Sequence, residues 1–383
     1  MDVYVLDANY DKIGYIDEAE SVLWIKRYYD YGECEIYIPS SPELRSLLKS
    51  GNYLYRLDDD MLCEIKKVKK VTNTENGSYL TVTGYDVSRM LSDRIVRWEV
   101  IFSGKPYDFL KQIIEENVIN PQQPLRLYEN ITFKCDIEDD TVINVNAFTE
   151  NLLELIKTTC KTYSYGFKIA FDLDTKSFQI IIYKGKDKSR LDASEYVEFS
   201  PLYANITSSQ YEEDSTNFKN VCYVGYTEEE VTKLYSVFIG DSEPSGSNRK
   251  EIYVDGTNIK REISQDELDI MFPNNSSNGS VYYDSSGNEI GVLYNDAIHL
   301  TENAYYYLIR TLGYNTLAEH NDKKSFIGVV DATDTYMLIV DYDLGDIVKV
   351  IDDDGIEGNA RITEITESDE EGYSIEPTYE YIE

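Results

Sequence analysis

The chain has 383 residues, of which 42% are hydrophobic, and its formal net charge is −35 at pH 7. This length and apolar content predict a sizeable core divided over two or three domains, and they exclude a disordered chain. The excess of 71 acidic over 36 basic side chains opposes binding to nucleic acid and to anionic membranes, because nonspecific affinity for phosphate depends on Lys and Arg.

The N-terminal stretch MDVYVLDANYDKIG has acidic residues where a signal peptide needs basic ones. No segment approaches about 18 continuous apolar residues, so we expect no membrane insertion. Five widely spaced cysteines without a C-x-x-C pair predict reduced, partly buried thiols of a protein made in a cytosol. We therefore interpret the N-x-S/T sequons as chance.

Residues 1–101 read as successive short strands. The stretch SVLWIKRYYDYGECEIYIP predicts a hairpin with its turn at residues 30–32. Arg27 lies on the same strand face as Leu23 and Ile25. Three roles are open for it: a buried ion-pair partner, an interface residue or a snorkelling side chain. SPELRSLLKSG predicts a short helix with Ser41 as N-cap and Gly51 just past its end.

Residues 102–195 read as a mixed α+β unit, with two amphipathic helices in KPYDFLKQIIEENVI and NAFTENLLELIKTTCKTYS and a hairpin that turns at residues 172–176. Residues 241–321 form a turn-rich excursion with one helix, TENAYYYLIRTLG. We expect helix packing to leave one ring of the tyrosines 305–307 exposed, with a docking patch as the alternative. The strand pattern resumes from residue 325.

The 35 tyrosines also favour a β-rich protein and suit interfaces.

One phrase occurs twice: GNYLYRLDDD at residues 51–60 and GDIVKVIDDD at residues 345–354. When Gly51 is aligned with Gly345, the aspartates coincide, and Ile65 falls on Ile362 after three extra residues in the second copy. This predicts an internal duplication of a β module, completed in the second copy by strands near residues 205–239. Chance similarity between two β-meanders is the alternative.

Neither aspartate triplet has the alternating ligands of a Ca²⁺ loop, so solvated turns are predicted, with a weak ion site at residues 352–354 as the alternative. Two histidines and no G-x-S-x-G do not suit a Ser-His-Asp hydrolase. KGKDKS, at residues 184–189, lacks the first glycine of a phosphate loop and reads as a basic hairpin end. A carboxylate pair acting on a glycan stays open. No catalytic residue, metal or cofactor is predicted.

Several stretches together form a pattern that is spread over nearly the whole chain: SVLWIKRYYDYGECEIYIPSS, GNYLYRLDDDMLCEIKKV, GYDVSRMLSDRIV, FKNVCYVGY, and DYDLGDIVKV with RITEITE and a glycine turn. In this pattern the chain resembles the baseplate hub or tail-associated proteins of long-tailed bacteriophages. Its pattern residues are Trp24, Arg27, Gly32, Pro39, Gly51, Asn220, Leu344, Gly345 and Asp346.

The resemblance implies a β-rich α+β fold with two similar tube-type β-barrel modules per chain, the second split by an insertion. The expected domains are a first barrel module at 1–101, a mixed α+β peripheral domain at 102–195, a second barrel module at 196–240 and 322–383, and an inserted peripheral region at 241–321. Three chains would form a ring of six barrels around a central channel.

The function implied is that of a structural hub without enzymatic activity: a homotrimer that extends the tail tube and lets DNA pass. Its implied partners are the tail tube, distal tail and tape-measure proteins and receptor-binding proteins. Its implied place is the tail tip or baseplate of the virion, after assembly in the bacterial host cytoplasm. Many family members carry long C-terminal extensions for host binding or peptidoglycan cleavage, whereas this chain stops at Glu383, and we therefore expect no enzymatic role. The alternatives are a carbohydrate-active β protein and a distal-tail or receptor-binding adhesin.

Overall fold

The computed structural model describes residues 1–73, 77–138, 141, 143–191, 195–203, 205–228, 231–272, 275–321, 323–330, 336–351, 354–355, 357–370 and 372–382. Strands dominate this part of the chain, and five α-helices accompany them. The predicted β-rich α+β class is confirmed. No helix within the described ranges is both long and apolar enough to cross a membrane.

The first hundred residues form strands and one short helix, as predicted. Ser41 caps the helix, since its hydroxyl accepts a hydrogen bond from the Leu44 amide at 3.1 Å, and Pro42 occupies the first helical position. The elements are β1 Val3–Leu6, β2 Lys12–Ile16, β3 Ser21–Arg27, β4 Glu33–Pro39, α1 Pro42–Leu47, β5 Tyr53–Tyr55, β6 Leu62–Asn73 and β7 Gly77–Asp86.

A mixed unit follows, in which two helices pack against short strands. Asn151 caps the longer helix through hydrogen bonds from the amides of Leu153 and Glu154. The elements are β8 Val100–Gly104, α2 Pro106–Ile114, β9 Ile131–Cys135, β10 Ile143–Ala147, α3 Leu152–Tyr163, β11 Gly166–Asp172 and β12 Ser177–Tyr183. The hairpin of β11 and β12 is the predicted one, and β9 pairs with β12 in parallel.

The rest of the chain returns to the large sheet after a long excursion. Its elements are β13 Glu198–Phe199, β14 Ile206–Asp214, β15 Val221–Glu228, β16 Val231–Phe238, β17 Glu251–Asp255, β18 Glu262–Ile263, α4 Gln265–Met271, β19 Ser276–Asn278, β20 Val281–Tyr283, β21 Glu289–Tyr294, β22 Ala297–Leu300, α5 Glu302–Ala318, β23 Lys323–Val330, β24 Ile347–Ile351, β25 Glu357–Asp369 and β26 Tyr373–Ile382.

The large sheet contains the same strand order twice. The first half-sheet runs β3-β4-β7-β6-β5, and the second half-sheet runs β14-β23-β26-β25-β24. Each follows the same antiparallel pairing, with a bulge after Ile65 in β6 and after Ile362 in β25. The two halves therefore match strand for strand.

The glycine turns that open the two copies have the same hydrogen bonds. The Gly51 amide donates to the Ile65 carbonyl, and the Ile65 amide donates to Asn52. The Gly345 amide likewise donates to Ile362, whose own amide donates to Asp346. Both glycines have positive φ, +88° and +93°, which L side chains rarely adopt. This equivalence confirms the predicted alignment of Gly51 with Gly345 and of Ile65 with Ile362.

The two half-sheets are joined edge to edge. Residues 357–361 of β25 pair with β24, and residues 364–369 pair with residues 22–27 of β3. We call this pairing of β25 with β3 the joint. Among the described strands the sheet path ends at β2 and at β14, so its hydrogen bonds do not close a barrel. The barrel form of each module stays a prediction.

Each half-sheet has its own buried core. The core of the first half-sheet surrounds the fully buried Trp24, and that of the second surrounds Tyr28, Phe199 and Tyr379. A third core lies under α2 and α3, and a fourth packs β15 against α5. The five cysteines are unpaired, four of them buried and Cys135 half-buried, as expected for reduced thiols.

Two local predictions were wrong. Gly51 does not lie just past the end of α1, because the helix ends at Leu47 and Leu48 is its C-cap. The strands near residues 205–239 do not all complete the second half-sheet: β14 does, whereas β15 and β16 form a separate three-stranded sheet with β17. Alternation identifies a strand in the sequence, but the pairing partner depends on distant residues.

The expectation for the three tyrosines on α5 is confirmed. Tyr305 is fully buried and Tyr306 packs against the same core, while Tyr307 is half exposed. The Tyr305 hydroxyl donates to the Thr227 carbonyl at 3.1 Å. The helix thus packs on β15 through two of the rings.

Candidate functional site

Most of the pattern residues predicted from the sequence lie around the joint. Trp24 and Arg27 belong to its β3 strand, and Gly32 lies in the turn that follows. The segment 344–346 immediately precedes β24. Pro39 lies at the far end of β4, opposite Tyr79.

Asn220 immediately precedes β15, which belongs to the separate sheet of β15, β16 and β17. Its side-chain amide donates to the Asn248 carbonyl at 2.8 Å and its side-chain oxygen accepts from the Lys250 amide at 2.8 Å. It therefore fixes the loop before β17 and takes no part in the joint.

Arg27 is an ion-pair residue of the joint. Its Nε donates to Glu364 Oε2 at 2.6 Å, its Nη2 lies 3.3 Å from Glu33 Oε1, and its Nη1 donates to the Tyr31 carbonyl. Glu364 and Arg27 are directly opposite each other in the strand register. Burial opposes the charged form, but these carboxylates outweigh it and raise the pKa of Arg27. Arg27 therefore forms the ion pair that was one of the three roles considered for it, but its side chain is 27% exposed and not buried. The interface role stays a prediction.

The other face of the joint holds a buried carboxylate, Glu367, whose side chain is only 3% exposed. Glu367 accepts a hydrogen bond from Arg56 Nη2 at 3.0 Å and one from the Tyr373 hydroxyl at 2.5 Å. Lys26 Nζ lies 3.3 Å from Glu367 Oε1. The Arg56 guanidinium lies over the Trp24 ring, 5.6 Å from its centroid. This network satisfies a charge that would otherwise be expensive to bury.

The first aspartate triplet is part of the same network. Asp58 pairs with Arg56, Asp59 pairs with Lys26 at 2.9 Å, and Asp60 pairs with Lys168 on β11. Burial disfavours the charged form of Lys26, but Asp59 and Glu367 outweigh it, so the pKa of Lys26 is raised.

The prediction of a fully solvated turn was therefore wrong for Asp59, whose side chain is 4% exposed. Of the second triplet, Asp352 and Asp353 lie outside the described residues. Within the described ranges, no three His, Cys, Asp or Glu side chains are grouped to hold a metal ion.

The turn at residues 344–346 packs tightly on Tyr28. A Cβ on Gly345 would lie 2.1 Å from Cε2 of that ring, and a Cβ on Gly185 would lie 2.0 Å from the Gly345 carbonyl group. The Tyr28 hydroxyl in turn accepts from the Gly185 amide at 3.2 Å. Glycine at both positions allows this close backbone approach.

Asp346 connects this turn to the segment KGKDKS. It is buried, accepts from the Lys186 amide at 2.7 Å and lies 3.0 Å from Lys188 Nζ. Lys188 also donates to the Asp341 carbonyl. The segment read as a basic hairpin end therefore holds the second glycine turn in place.

A cleft of about 570 Å³ opens between the joint and the β11/β12 hairpin. Arg27, Gly32 and Leu344 line it together with the first aspartate triplet and three further carboxyls, those of Asp86, Asp136 and Asp343. Burial raises the pKa of Asp86 to about 7, against the hydrogen bonds from the Ser88 hydroxyl and amide. Burial likewise raises the pKa of Asp343. The Ser88 bonds make Asp86 a structural acceptor at the start of the turn after β7.

Sequence reasoning did not find Lys26, Arg56 or Glu367. Glu367 lies 311 residues from Arg56 and 341 residues from Lys26 in the sequence, so spacing along the chain gives no signal for the network. One signal was available. Lys26 in β3 and Glu367 in β25 are charged residues within largely apolar strand patterns, and a charged residue at a buried position needs a partner.

Comparisons with known proteins agree with this fold. A family model described as "Siphovirus ReqiPepy6 Gp37-like protein" matches residues 2–378. No curated protein matches the chain.

Three solved structures share the fold over nearly the whole length. They are a tail protein from Neisseria meningitidis MC58 (11% identity, TM-score 0.53, 99% of this chain and 95% of that chain), the 43 kDa tail protein of prophage MuSo2 from Shewanella oneidensis (9%, 0.54, 99% and 98%), and prophage tail protein gp18 from Listeria monocytogenes EGD-e (11%, 0.51, 99% and 94%). The expected resemblance to tail proteins of long-tailed phages is confirmed.

Proposed function

Because the chain belongs to the Siphovirus ReqiPepy6 Gp37-like protein family, we propose that it is the structural hub of a phage or prophage tail. The observation that carries this proposal is the doubled half-sheet, joined edge to edge within one chain. A repeated module lets three chains present six similar units, which matches a sixfold tube. The hub is then a homotrimeric ring that extends the tail tube with pseudo-sixfold symmetry.

The ring would enclose a channel for DNA. The face of the sheet turned away from the two cores carries glutamates on neighbouring strands of both half-sheets: Glu33, Glu35, Glu364, Glu376 and Glu380. With −35 per chain, a channel lined by this face would repel phosphates and let DNA pass without adhering. The acidic face supports this part of the proposal.

The proposed position of the hub, between the tail tube and the tail tip, implies its partners. We propose contacts with the tail tube protein on one side of the ring, with the distal tail protein around it, and with the tape-measure protein and receptor-binding proteins at its ends. The mixed unit of α2 and α3 and the unit of β15–β22 and α5 would lie outside the ring. The protein would act in the virion tail after assembly in the host cytoplasm.

The test of the hub role is the place of the protein in the particle. Gold-labelled antibody against this chain should mark the distal end of the tail in electron micrographs, at one site per particle. Particles assembled without the chain should lack a functional tail tip. Label on the head or along the tail shaft would contradict the proposal.

A further inference from the structure

Several strand edges of the large sheet, that of β2 among them, have no partner among the described residues, and two of these edges are related by the repeat. The strand β14 lies at one end of the sheet and pairs with β23 alone. The second half of β6, residues 67–73, pairs with β7 alone, since β5 pairs only with residues 62–64. Residues 67–72 of β6 are exposed, as are Glu212 and Glu213 of β14. An open edge offers a row of backbone donors and acceptors to another strand.

The repeat shows that each of these two open edges is equivalent to one strand of the joint. Because Ile65 matches Ile362, the open half of β6 is equivalent to residues 364–369 of β25, which bind β3 in the joint. Trp24 of β3 matches Tyr211 of β14, since their partners in β4 and β23 oppose equivalent residues of β7 and β26. The open edges are thus the two equivalents of a contact that already exists within the chain.

The ion pair on one face of the joint has an equivalent on the open edges, in which the acidic and the basic residue have exchanged strands. In the joint, Glu364 of β25 pairs with Arg27 of β3 at 2.6 Å. The equivalent residues on the open edges are Lys67 of β6 and Asp214 of β14. Anion and cation have exchanged strands, and the pair remains complementary.

The ion pair on the other face is inverted in the same way. In the joint, Glu367 of β25 lies 3.3 Å from Lys26 of β3. The equivalent residues are Lys70 of β6 and Glu213 of β14. Lys69 of β6 adds a third complementary position, because its register partner is Glu212.

We propose that residues 67–72 of β6 pair antiparallel with β14 of a second copy of this chain, with Lys67 opposite Asp214 and Lys69 opposite Glu212. This deepens the proposed hub by naming the surface through which its copies join, and it rests on the hub role only for the number of copies. The contact is head to tail, so repetition closes a ring when its rotation fits.

The inverted signs also select the correct neighbour. An acidic β25 meets a basic β3 within the chain, and a basic β6 meets an acidic β14 between chains. Exchanging partners would place like charges opposite each other, which is destabilising in cross-strand pairs. The lysines of β6 are exposed and, among the described residues, Lys67, Lys69 and Lys70 have no ion-pair partner within the chain.

A register-specific cross-link tests the contact. In a Cys135→Ser background, which removes the half-buried thiol, Lys69→Cys with Glu212→Cys places two thiols directly opposite each other across the interface. Mild oxidation should give covalent oligomers that reduction returns to the monomer. The matched control, Lys69→Cys with Glu213→Cys, places the thiols on opposite faces of the strands and should give at least tenfold fewer oligomers.

A charge exchange tests the same contact without cysteines. Lys67→Asp with Lys70→Glu should weaken self-association at least tenfold in analytical ultracentrifugation, and adding Glu213→Lys with Asp214→Lys should restore it. The control Lys66→Glu alters a bulged residue that pairs with Glu64 inside the chain and should leave association unchanged.

The two tests separate this proposal from the hub role. Equal cross-linking in register and out of register, no cross-linking at all, or no restoration by the charge exchange would overturn the interface. Labelling of the tail tip would still support the hub in that case. In-register cross-linking in a protein absent from the tail would support the interface and refute the hub.

Discussion

The two turn glycines show how one backbone requirement can carry different packing demands. Gly51 and Gly345 have nearly equal positive φ and equivalent hydrogen bonds. A Cβ on Gly51 would meet nothing within 4 Å, whereas a Cβ on Gly345 would lie 2.1 Å from the Tyr28 ring. The repeat conserved the turn, and the surroundings diverged.

We therefore predict different losses for the same substitution. Gly51→Ala should lower the free energy of unfolding by about 1 to 2 kcal/mol, from the left-handed backbone alone. Gly345→Ala should cost a further 1 to 3 kcal/mol or so, because Tyr28 must move. Urea unfolding of both variants measures the difference. Equal losses would show that Tyr28 does not constrain the second turn.

Asp86 gives a prediction for pH. Burial raises its pKa from 3.8 to about 7, so the folded state holds the proton more tightly than the unfolded state. Its contribution to stability is thus greatest below pH 4 and is lost as the pH rises to about 7. The stability of the wild type relative to Asp86→Asn should fall over this window by up to about 4 kcal/mol, at about 1.4 kcal/mol per pKa unit.

Thermal unfolding of both proteins between pH 4 and 8 measures this effect. The other titrating groups are common to the two proteins, so the difference isolates Asp86. Parallel stability curves would contradict a raised pKa at this carboxyl.

At the scale of elements, the joint holds the two half-sheets in one sheet. Its outer ion pair, between Arg27 and Glu364, is partly exposed on both sides, and such pairs contribute little. Its inner network places Glu367 between Arg56 and Lys26, out of contact with water. Removing a buried partner leaves opposite charges without compensation.

Glu367→Ala should therefore lower the free energy of unfolding by about 3 to 5 kcal/mol. Glu364→Ala, three residues away on the same strand, should lower it by about 1 kcal/mol or less. Chemical denaturation of the two variants makes the comparison. A small loss for Glu367→Ala would mean that Arg56 and Lys26 find other partners.

At the scale of the whole molecule, the doubled half-sheet predicts the mass in solution. Light scattering should give about three times the chain mass of 44.2 kDa at high concentration. High salt should weaken the assembly, because the proposed contacts between copies are ion pairs at a partly exposed edge. A monomer at all concentrations and salt conditions would contradict a preformed ring.

Much of the local structure could be predicted from the sequence. The alternation of apolar residues predicted the hairpin of β3 and β4 and that of β11 and β12, and the predicted cap at Ser41 fits its helix. The phrase beginning at Gly51 and Gly345 revealed the duplication. These features depend on neighbouring residues, whose geometry is fixed by the backbone itself.

The candidate site could not be predicted in the same way. Arg56 and Glu367 are 311 residues apart, and no spacing rule connects them. The assignment of β15 and β16 to a separate sheet also depends on distant residues, since β17 pairs with β15 and α5 packs on it. Pairing across such separations is decided by the packing of the entire core.

The sequence by itself determined that the chain is acidic, β-rich and internally repeated, because charge, alternation and repetition are properties of the chain order. Only the tertiary structure decided that the repeats share one sheet, that Glu367 is buried between two cations, and that the inverted charges lie on open edges. The register between strands that are distant in the sequence is defined only when those strands pair in the folded protein.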